Sequence, residues 1–231
     1  MRRFKCALLA AVAAIGFASF ASAADMPVKA RLMAPAVYDW TGFYVGINGG
    51  GGWGRSRFDF DSFRITTGNY NTSGGLVGGT IGYNWQVGTW VLGLEGDLDW
   101  TNINGSGLAP TPTFTARTSN SWLATARGRL GYAANNWLLY GTGGAAWGNV
   151  KAEYSVNPAA PLFPGQTSTR SGWAAGGGIE YGVTRNVSVK AEYLYIDLGT
   201  ASCTRPNCSS LTNVSVPFSV STARLGLNYR F

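Results

Sequence analysis

The stretch WVLGLEGDLDW, residues 90–100, alternates between apolar and polar positions without a break. In a β-strand, successive side chains point to opposite faces. Trp90, the three leucines and Trp100 therefore share one face, and Glu95, Asp97 and Asp99 share the other. Which of these two faces points outward is the question that the rest of the chain has to answer.

The same period of two recurs along the chain and predicts eight strands. They cover residues 40–54, 76–86, 90–100, 121–132, 137–148, 173–183, 187–196 and 221–231. In seven of them, one parity is apolar and aromatic and the other is polar or glycine. In residues 137–148 both parities are apolar or small, so the facing of this strand stays undefined.

The connections between these strands alternate in length. Residues 87–89, 133–136 and 184–186 form short turns, whereas 55–75, 101–120, 149–172 and 199–220 are long and rich in Ser, Thr, Asn, Gly and Pro. Short turns on one side and long loops on the other are typical of an outer-membrane barrel. A secreted β-sandwich also has many short strands, but it predicts neither this alternation nor aromatic residues at both ends of the apolar face. The pattern favours an all-β fold, an eight-stranded antiparallel up-and-down transmembrane β-barrel with four long extracellular loops.

In such a barrel the apolar face points to lipid and the polar face points into the lumen. The pattern therefore predicts five acids and five bases inside, and it predicts that Arg127 and Arg129 reach Glu95 and Asp97 across neighbouring strands. A charged lumen indicates either a selective pore or a plug of ion pairs. An eight-stranded barrel is narrow enough for its own side chains to fill it, which favours the plug. The predicted lumen network is Glu95, Asp97, Asp99, Arg127, Arg129, Glu180, Lys190, Glu192, Arg224 and Arg230.

The N-terminus has the pattern of a secretory signal peptide. Arg2, Arg3 and Lys5 precede an apolar stretch up to Phe20, and small residues precede a cleavage site after Ala23. The apolar stretch is shorter than the roughly 20 residues that an anchor helix, the alternative, requires. The predicted organisation is a signal peptide over 1–23, a periplasmic lead-in over 24–39 and the barrel over 40–231.

The composition narrows the chemistry. The chain has no histidine, which excludes His-based triads, His metal sites and a His-ligated haem. We expect no enzyme activity, no cofactor and no metal site. Lys and Arg outnumber Asp and Glu by 18 to 11, but without a basic stripe or a nucleic-acid motif they predict no nucleic-acid partner. In an exported protein, Cys203 and Cys208 are expected to form a disulfide, with metal binding as the weaker alternative.

The last predicted strand places apolar and aromatic side chains at alternate positions: Leu225, Leu227, Tyr229 and Phe231. This pattern resembles the signal that the barrel-insertion machinery of Gram-negative outer membranes recognises by strand addition. A simple amphipathic strand is the alternative.

Several motifs together carry a wider resemblance: AADMPVKA, WTGFYVGINGG, GGTIGYNWQVGTWVLGLEGDLDW, ARGRLGY and LGLNYRF. They resemble the outer-membrane immunogenic protein family, small porin-like surface antigens of Gram-negative bacteria. The resemblance implies location in the cell outer membrane and exposure at the surface, with a link to envelope integrity or haem binding in some members.

We therefore expect an outer-membrane surface barrel with a charge-plugged lumen, which interacts with its surroundings through its loops. The alternatives are a narrow porin-like diffusion channel for small solutes, or a surface protein that binds haem or a host ligand. Outer-membrane lipid, lipopolysaccharide and the barrel-insertion machinery are the expected partners, and host or environmental ligands stay open. The excess of basic loop residues, Arg55 and Arg57 among them, suggests contacts with lipopolysaccharide phosphates, an ordinary solvated surface being the alternative.

Overall fold

The computed structural model of the chain describes residues 38–57, 59–60, 65–66, 69–108, 114–156, 160–161, 165–203 and 214–231. The predicted signal peptide with its cleavage after Ala23, most of the lead-in and Cys208 lie outside the described residues. Within the described part of the chain, no helix is long and apolar enough to cross a membrane.

Eight long strands form a closed antiparallel ring, in which each strand pairs with its neighbours in the sequence and the last pairs with the first. This arrangement confirms the predicted fold. Closure leaves the ring without a free edge, as strands that cross a membrane require. The strands are β1 (Gly42–Ser56), β2 (Tyr70–Val87), β3 (Trp90–Leu108), β4 (Phe114–Ala134), β5 (Trp137–Val156), β6 (Gln166–Gly182), β7 (Val187–Cys203) and β8 (Val214–Arg230). Three two-residue strands lie in the connections: Asp59–Phe60, Ile65–Thr66 and Ala160–Pro161.

The apolar side chains of the strands point outward. Leu94 is 72% exposed and Leu225 is 69% exposed, which is unfavourable in water and favourable against lipid. Aromatic rings border this band on both sides, as they do at membrane interfaces. Ring pairs at the side of the short turns are Phe43–Tyr83, Trp90–Tyr132 and Trp137–Tyr181, and those at the opposite side are Trp53–Tyr193 and Trp173–Tyr195.

The short turns have the residues that tight hairpins need. Gly88, between β2 and β3, has a φ of 61°, and Asn135, between β4 and β5, has a φ of 53°. Two-residue hairpins between twisted strands need positive φ, which glycine and asparagine adopt most readily. The three short predicted turns are therefore present, and they lie at one end of the barrel.

The strands are longer than predicted, and this corrects the reading of the long connections as loops. The 21 residues of β4 extend roughly 70 Å at about 3.3 Å per residue. With a tilt of about 45°, this is a height of roughly 50 Å, twice an apolar band of about 25 Å. Much of each predicted loop is therefore paired strand that continues beyond the membrane.

The described sheet has three register irregularities, one of them between Trp100 and Ile103 on β3, and the other two explain why the alternation stopped short. The pairing shifts between Ser119 and Leu123 on β4 and between Asp197 and Thr200 on β7. A bulge inserts an extra residue, so that the inward parity changes while the strand continues. The predicted strand 121–132 begins at the site on β4, and the predicted strand 187–196 ends beside the site on β7.

At the end of the barrel away from the short turns, most inward side chains are apolar and form what we call the upper core, and the buried Ser56, Thr72, Thr118 and Asn120 lie among them. The apolar side chains named below are at most 3% exposed. The upper core includes Ile103, Leu123, Val150, Leu194, Ile196, Leu198, Val216, Phe218 and Val220.

Candidate functional site: the filled barrel interior

Nine charged side chains meet in the middle of the barrel, and we call them the ion-pair layer. They lie at inward positions of five strands, and their side chains are at most 5% exposed. The strong alternation of the chain places them there, because each residue is on the face opposite the lipid-facing band. The layer consists of Glu95, Asp97 and Asp99 on β3, Arg127 and Arg129 on β4, Glu180 on β6, Lys190 and Glu192 on β7, and Arg224 on β8.

Arg127 joins three carboxylates at the centre of the layer. Its Nη2 atom lies 2.6 Å from Glu95 Oε1, 2.6 Å from Asp97 Oδ2 and 3.3 Å from Glu192 Oε2. Glu95 is its direct partner in the β3–β4 register. Arg127 therefore makes the cross-strand contacts with Glu95 and Asp97 that the sequence indicated.

Arg224 connects the last strand of the barrel to β3 and β7. Its Nε and Nη2 atoms donate to Glu192 Oε2 at 2.9 and 2.6 Å, and its Nη1 atom donates to Asp99 Oδ2 at 2.8 Å. Nη2 also lies 3.1 Å from Asp97 Oδ1. Because Arg224 and Asp99 are 125 residues apart in the sequence, this pair fixes the two halves of the barrel to each other.

Arg129 lies nearer the short turns, among tyrosines. Its Nη2 atom donates to Glu180 Oε2 at 2.8 Å, and its Nη1 atom lies 3.6 Å from Glu95 Oε2. The guanidinium carbon is 3.9 Å from the centre of the Tyr140 ring and 5.9 Å from that of Tyr44. These distances are within the range of cation–π attraction. The contact of Arg129 with Glu95 is thus long, at 3.6 Å, and Arg129 does not pair with Asp97, the second acid that the sequence predicted as its partner.

Neutral hydrogen-bond donors satisfy most of the remaining carboxylate oxygens, and the sequence analysis did not single them out. The Tyr44 hydroxyl donates to Glu95 Oε2 at 2.7 Å, and the Tyr140 hydroxyl donates to Glu192 Oε1 at 2.9 Å. Tyr140 could not be assigned because the facing of residues 137–148 was undefined; its even-numbered positions point inward. Further neutral donors are Thr80 and Thr125 to Asp97, and Ser188 and Asn228 to Glu180. The charged Lys190 Nζ atom also donates to Glu95 Oε2 at 3.0 Å.

Arg230, the tenth predicted member of the lumen network, is not in the layer. Its guanidinium carbon lies 4.4 Å above the centre of the Tyr38 ring, and its Nη2 atom donates to the backbone oxygen of Arg185. It is near the end of β8, too far along the strand to reach the layer. The described residues of the layer therefore hold five acids and four bases, where the sequence suggested five of each.

An apolar cluster, the lower cap, lies inside the barrel between the ion-pair layer and the short turns. Trp40 is 1% exposed, its ring lies 4.5 Å from that of Tyr38, and its backbone nitrogen donates to Gln86 Oε1. Tyr38, which belongs to the predicted lead-in, thus packs inside the barrel. The lower cap consists of Tyr38, Trp40, Val91, Ala133, Leu138 and Tyr140.

The three layers follow one another along the interior of the barrel. The upper core and the lower cap are apolar, and the ion-pair layer between them has little exposure to water. A buried ion pair gains little net stability over a well-packed apolar pair, but breaking one leaves a costly unpaired charge. The structure thus places a buried cluster of ion pairs between two mainly apolar clusters inside the barrel. Among the described residues, no group of three or more Asp, Glu or Cys side chains has the arrangement of a metal site.

The four residues of the predicted assembly signal all lie on the lipid-facing side. Their exposed fractions run from 47% for Leu227 to 74% for Phe231. This position fits an amphipathic strand and does not test recognition by the insertion machinery. The predicted disulfide of Cys203 with Cys208 also stays a prediction, since Cys208 lies outside the described residues.

The family model described as "Outer membrane protein beta-barrel domain" matches residues 8–231 of the chain. The "31 kDa outer-membrane immunogenic protein" of Brucella melitensis is 40% identical over 243 aligned positions, which cover 98% of this chain and 100% of that protein. The "22 kDa outer membrane protein" of Rhizobium leguminosarum is 36% identical over 160 positions, which cover 68% of this chain and 64% of that protein.

Among solved structures, the outer membrane protein OprG from Pseudomonas aeruginosa superposes with a TM-score of 0.51. It is 15% identical in sequence, and the match covers 84% of this chain and 99% of OprG. At this identity the likeness supports the barrel fold alone.

Proposed function

The chain belongs to the outer membrane β-barrel family of the outer-membrane immunogenic proteins and lies in the outer membrane, and from this premise we propose that it is a non-conducting surface barrel that supports envelope integrity. The observation that carries the proposal is the three successive layers of buried side chains inside the barrel. Conducting porins use 16 or more strands, whereas eight strands enclose a space that side chains can occupy. Here the ion-pair layer, the upper core and the lower cap occupy it.

The extended strands support a role at the cell surface. Above the aromatic border, the outward positions become polar, as at Asn104, Ser119 and Lys151, so the barrel continues as a rigid stem outside the membrane. Such a stem holds the connecting loops away from the lipid, where loops can carry specificity. We propose that these loops mediate the surface interactions.

A non-enzymatic role is part of the proposal. Acyl-transfer and hydrolase sites commonly use histidine as the general base, and this chain has none. The carboxylates that lie close enough together for acid–base chemistry belong to the ion-pair layer, where their side chains are at most 5% exposed. Their hydrogen bonds to arginine are those of a structural network.

Conductance measurements test the plug. The purified chain is folded in detergent, its folding is verified by heat-dependent gel mobility, and it is inserted into a planar bilayer beside a large porin as the positive control. We expect no stable open steps from the folded chain. Stable steps from folded protein would overturn the plug and establish the narrow diffusion channel instead.

A deletion strain tests the envelope role. We expect deletion to increase sensitivity to detergents and to large antibiotics that an intact outer membrane excludes, and expression of the wild-type chain to restore resistance. A deletion strain with unchanged sensitivity would contradict the proposal, whatever the conductance result.

We propose that the basic surface residues contact lipopolysaccharide. Some of these charges have acidic neighbours on the surface, since Arg57 lies 2.8 Å from Asp59 and Lys151 pairs with Glu153. Replacing Arg55 and Arg57 by Gln is expected to reduce the lipopolysaccharide that co-purifies with the barrel. Arg185→Gln, at the opposite end of the barrel, is the matched control, and equal retention in all variants would count against the contact.

A further inference from the structure

The aromatic border on the side away from the short turns is interrupted at β2. Six strands present an outward ring there: Trp53, Trp100, Trp122, Trp147, Trp173 and Tyr195. Beside Trp53, β2 presents Ser73, and β8 presents Ser221. The place over β8 is covered, because the Trp53 ring lies 6.2 Å from that of Tyr193 on β7, whose hydroxyl donates to Ser221. Trp53 thus lies over β8 and leaves β2 open at the extracellular border of the membrane.

A positive charge lies beside this opening. Arg55 is exposed at an outward position of β1, directly opposite Asn71 on β2. Among the described residues no acid forms an ion pair with Arg55, whereas Arg57 lies 2.8 Å from Asp59. Asp197 lies two strands away on the other side of Arg55, and its Oδ1 atom accepts from the backbone of Gly199. Arg55 is therefore available to an anionic group that approaches over β2.

Exposed hydrogen-bonding side chains surround the same opening. Asn71 and Ser73 follow each other on the outward face of β2, and Asn104 on β3 lies opposite Ser73. Hydroxyl and amide groups both donate and accept hydrogen bonds, as the recognition of sugar hydroxyls requires. We call Arg55, Asn71, Ser73 and Asn104 the polar notch.

Below the polar notch, the outward face carries two glycines that the packing of the barrel does not require. Gly75 on β2 and Gly51 on β1 lie opposite each other. A Cβ atom at Gly50 or Gly74, their inward neighbours, would overlap the backbone of a facing strand, but one at Gly75 or Gly51 would meet its nearest atom only at 3.9 or 3.8 Å. Glycine weakens a strand and often marks a place where a ligand approaches closely. We call the depression over Gly51 and Gly75 the slot.

We propose that the polar notch and the slot bind one lipopolysaccharide molecule of the outer leaflet. Arg55 binds a phosphate of its lipid anchor through charge-assisted hydrogen bonds, and the other three side chains of the notch bind sugar hydroxyls. One acyl chain lies in the slot, within the apolar band. Charge and position favour this occupant, since the cation and the polar groups lie at headgroup level and the glycines lie at acyl-chain level. The inference rests on the lipopolysaccharide contact proposed above, and it assigns that contact to one arginine and one slot.

Native mass spectrometry of the folded chain in detergent tests the site, with deep-rough lipopolysaccharide as the probe. We expect the wild type to retain one lipopolysaccharide molecule. Arg55→Gln should weaken binding about tenfold or more, because a hydrogen bond to a charged group contributes that much. Gly75→Leu should also weaken binding, because its side chain fills the slot. Heat-dependent gel mobility verifies the folding of each variant, and Gly51→Leu fills the slot from β1 if Gly75→Leu does not fold.

Two matched controls make the same changes elsewhere on the outer face. Arg117→Gln alters an exposed arginine of β4 that lies opposite Glu153, and Gly143→Leu alters an outward glycine of β5 with its nearest atom at 3.7 Å from a Cβ. Both variants should bind lipopolysaccharide as the wild type does, and a loss as large as that of Arg55→Gln or Gly75→Leu would contradict the assigned site.

The outcomes separate this inference from the proposed function. Weaker binding in Arg55→Gln with unchanged binding in both slot variants would overturn the slot and leave the surface-charge contact in place. Unchanged binding in Arg55→Gln as well would refute both. Phosphatidylglycerol is the competitor, because it offers one phosphate and two acyl chains without the sugars. If it displaces lipopolysaccharide as readily as added lipopolysaccharide does, the assignment of the site to lipopolysaccharide is wrong.

Discussion

Replacing Arg224 by Met is the sharpest test of the ion-pair layer. Methionine keeps most of the length and the apolar stem of the side chain but removes the guanidinium. The Nε and Nη2 contacts with Glu192 and the Nη1 contact with Asp99 are then lost, all of them with partner side chains at most 5% exposed. Removing one partner of a buried pair costs about 3–5 kcal/mol, a large fraction of the roughly 5–15 kcal/mol that stabilises a typical protein.

The assay is the free energy of unfolding in urea, measured by tryptophan fluorescence on protein folded into lipid vesicles. Arg57→Met is the matched control, because its pair with Asp59 is on the surface and its side chain is 49% exposed. Pairs of this kind contribute about 0–1 kcal/mol. A loss for Arg224→Met as small as that of the control would refute the view that the layer contains desolvated, mutually dependent charges.

A double variant separates a lost interaction from a general packing defect. Glu192→Gln removes the charge that Arg224 mainly neutralises, while Tyr140 can still donate to the remaining oxygen. If the layer acts as a network, the double variant should lose less than the sum of the two single variants, by about 0.5–3 kcal/mol. Strict additivity would show that Arg224 and Glu192 contribute independently.

Three further changes probe the layers around these charges. Gly78→Ala should block folding or strongly destabilise the barrel, because a methyl group there would overlap a buried carboxylate and the backbone of β3. The same change should be tolerated at the outward Gly79, where the nearest atom is 3.7 Å from such a methyl group. Gel mobility before and after heating distinguishes the two outcomes. Tyr140→Phe removes a hydrogen-bond donor from a buried carboxylate and should lower the free energy of unfolding by about 1.5–3 kcal/mol. Tyr193→Phe should leave this free energy almost unchanged, because the hydrogen bond of the Tyr193 hydroxyl is exposed. Trp40→Ala empties much of the lower cap and should cost about 3–5 kcal/mol, so an unchanged urea midpoint would show that the cap does not pack as described.

The alternation of apolar and polar residues along the chain was enough to predict most of the membrane-spanning barrel. In residues 90–100 and 221–231, every charged residue that was predicted to point inward is buried in the structure, except for Arg230. The alternation is reliable there because lipid on one side and a polar lumen on the other impose opposite chemistry on the two faces. Where both faces of residues 137–148 were small or apolar, that contrast was absent and the facing was lost.

The sequence therefore determined the strand order, the exposed apolar band and the membership of nearly all of the ion-pair layer, because these follow from local alternation and from turn length. Only the tertiary structure decided how far the strands continue, which oxygen faces which nitrogen, and how the interior is filled above and below the charges. Beyond the membrane the outer face meets water, so the hydrophobic preference moves inward, and the bulges at Ser119–Leu123 and Asp197–Thr200 shift the phase at the same level. Contacts such as that of Arg224 with Asp99 depend on closure of the ring, which brings together strands far apart in the sequence.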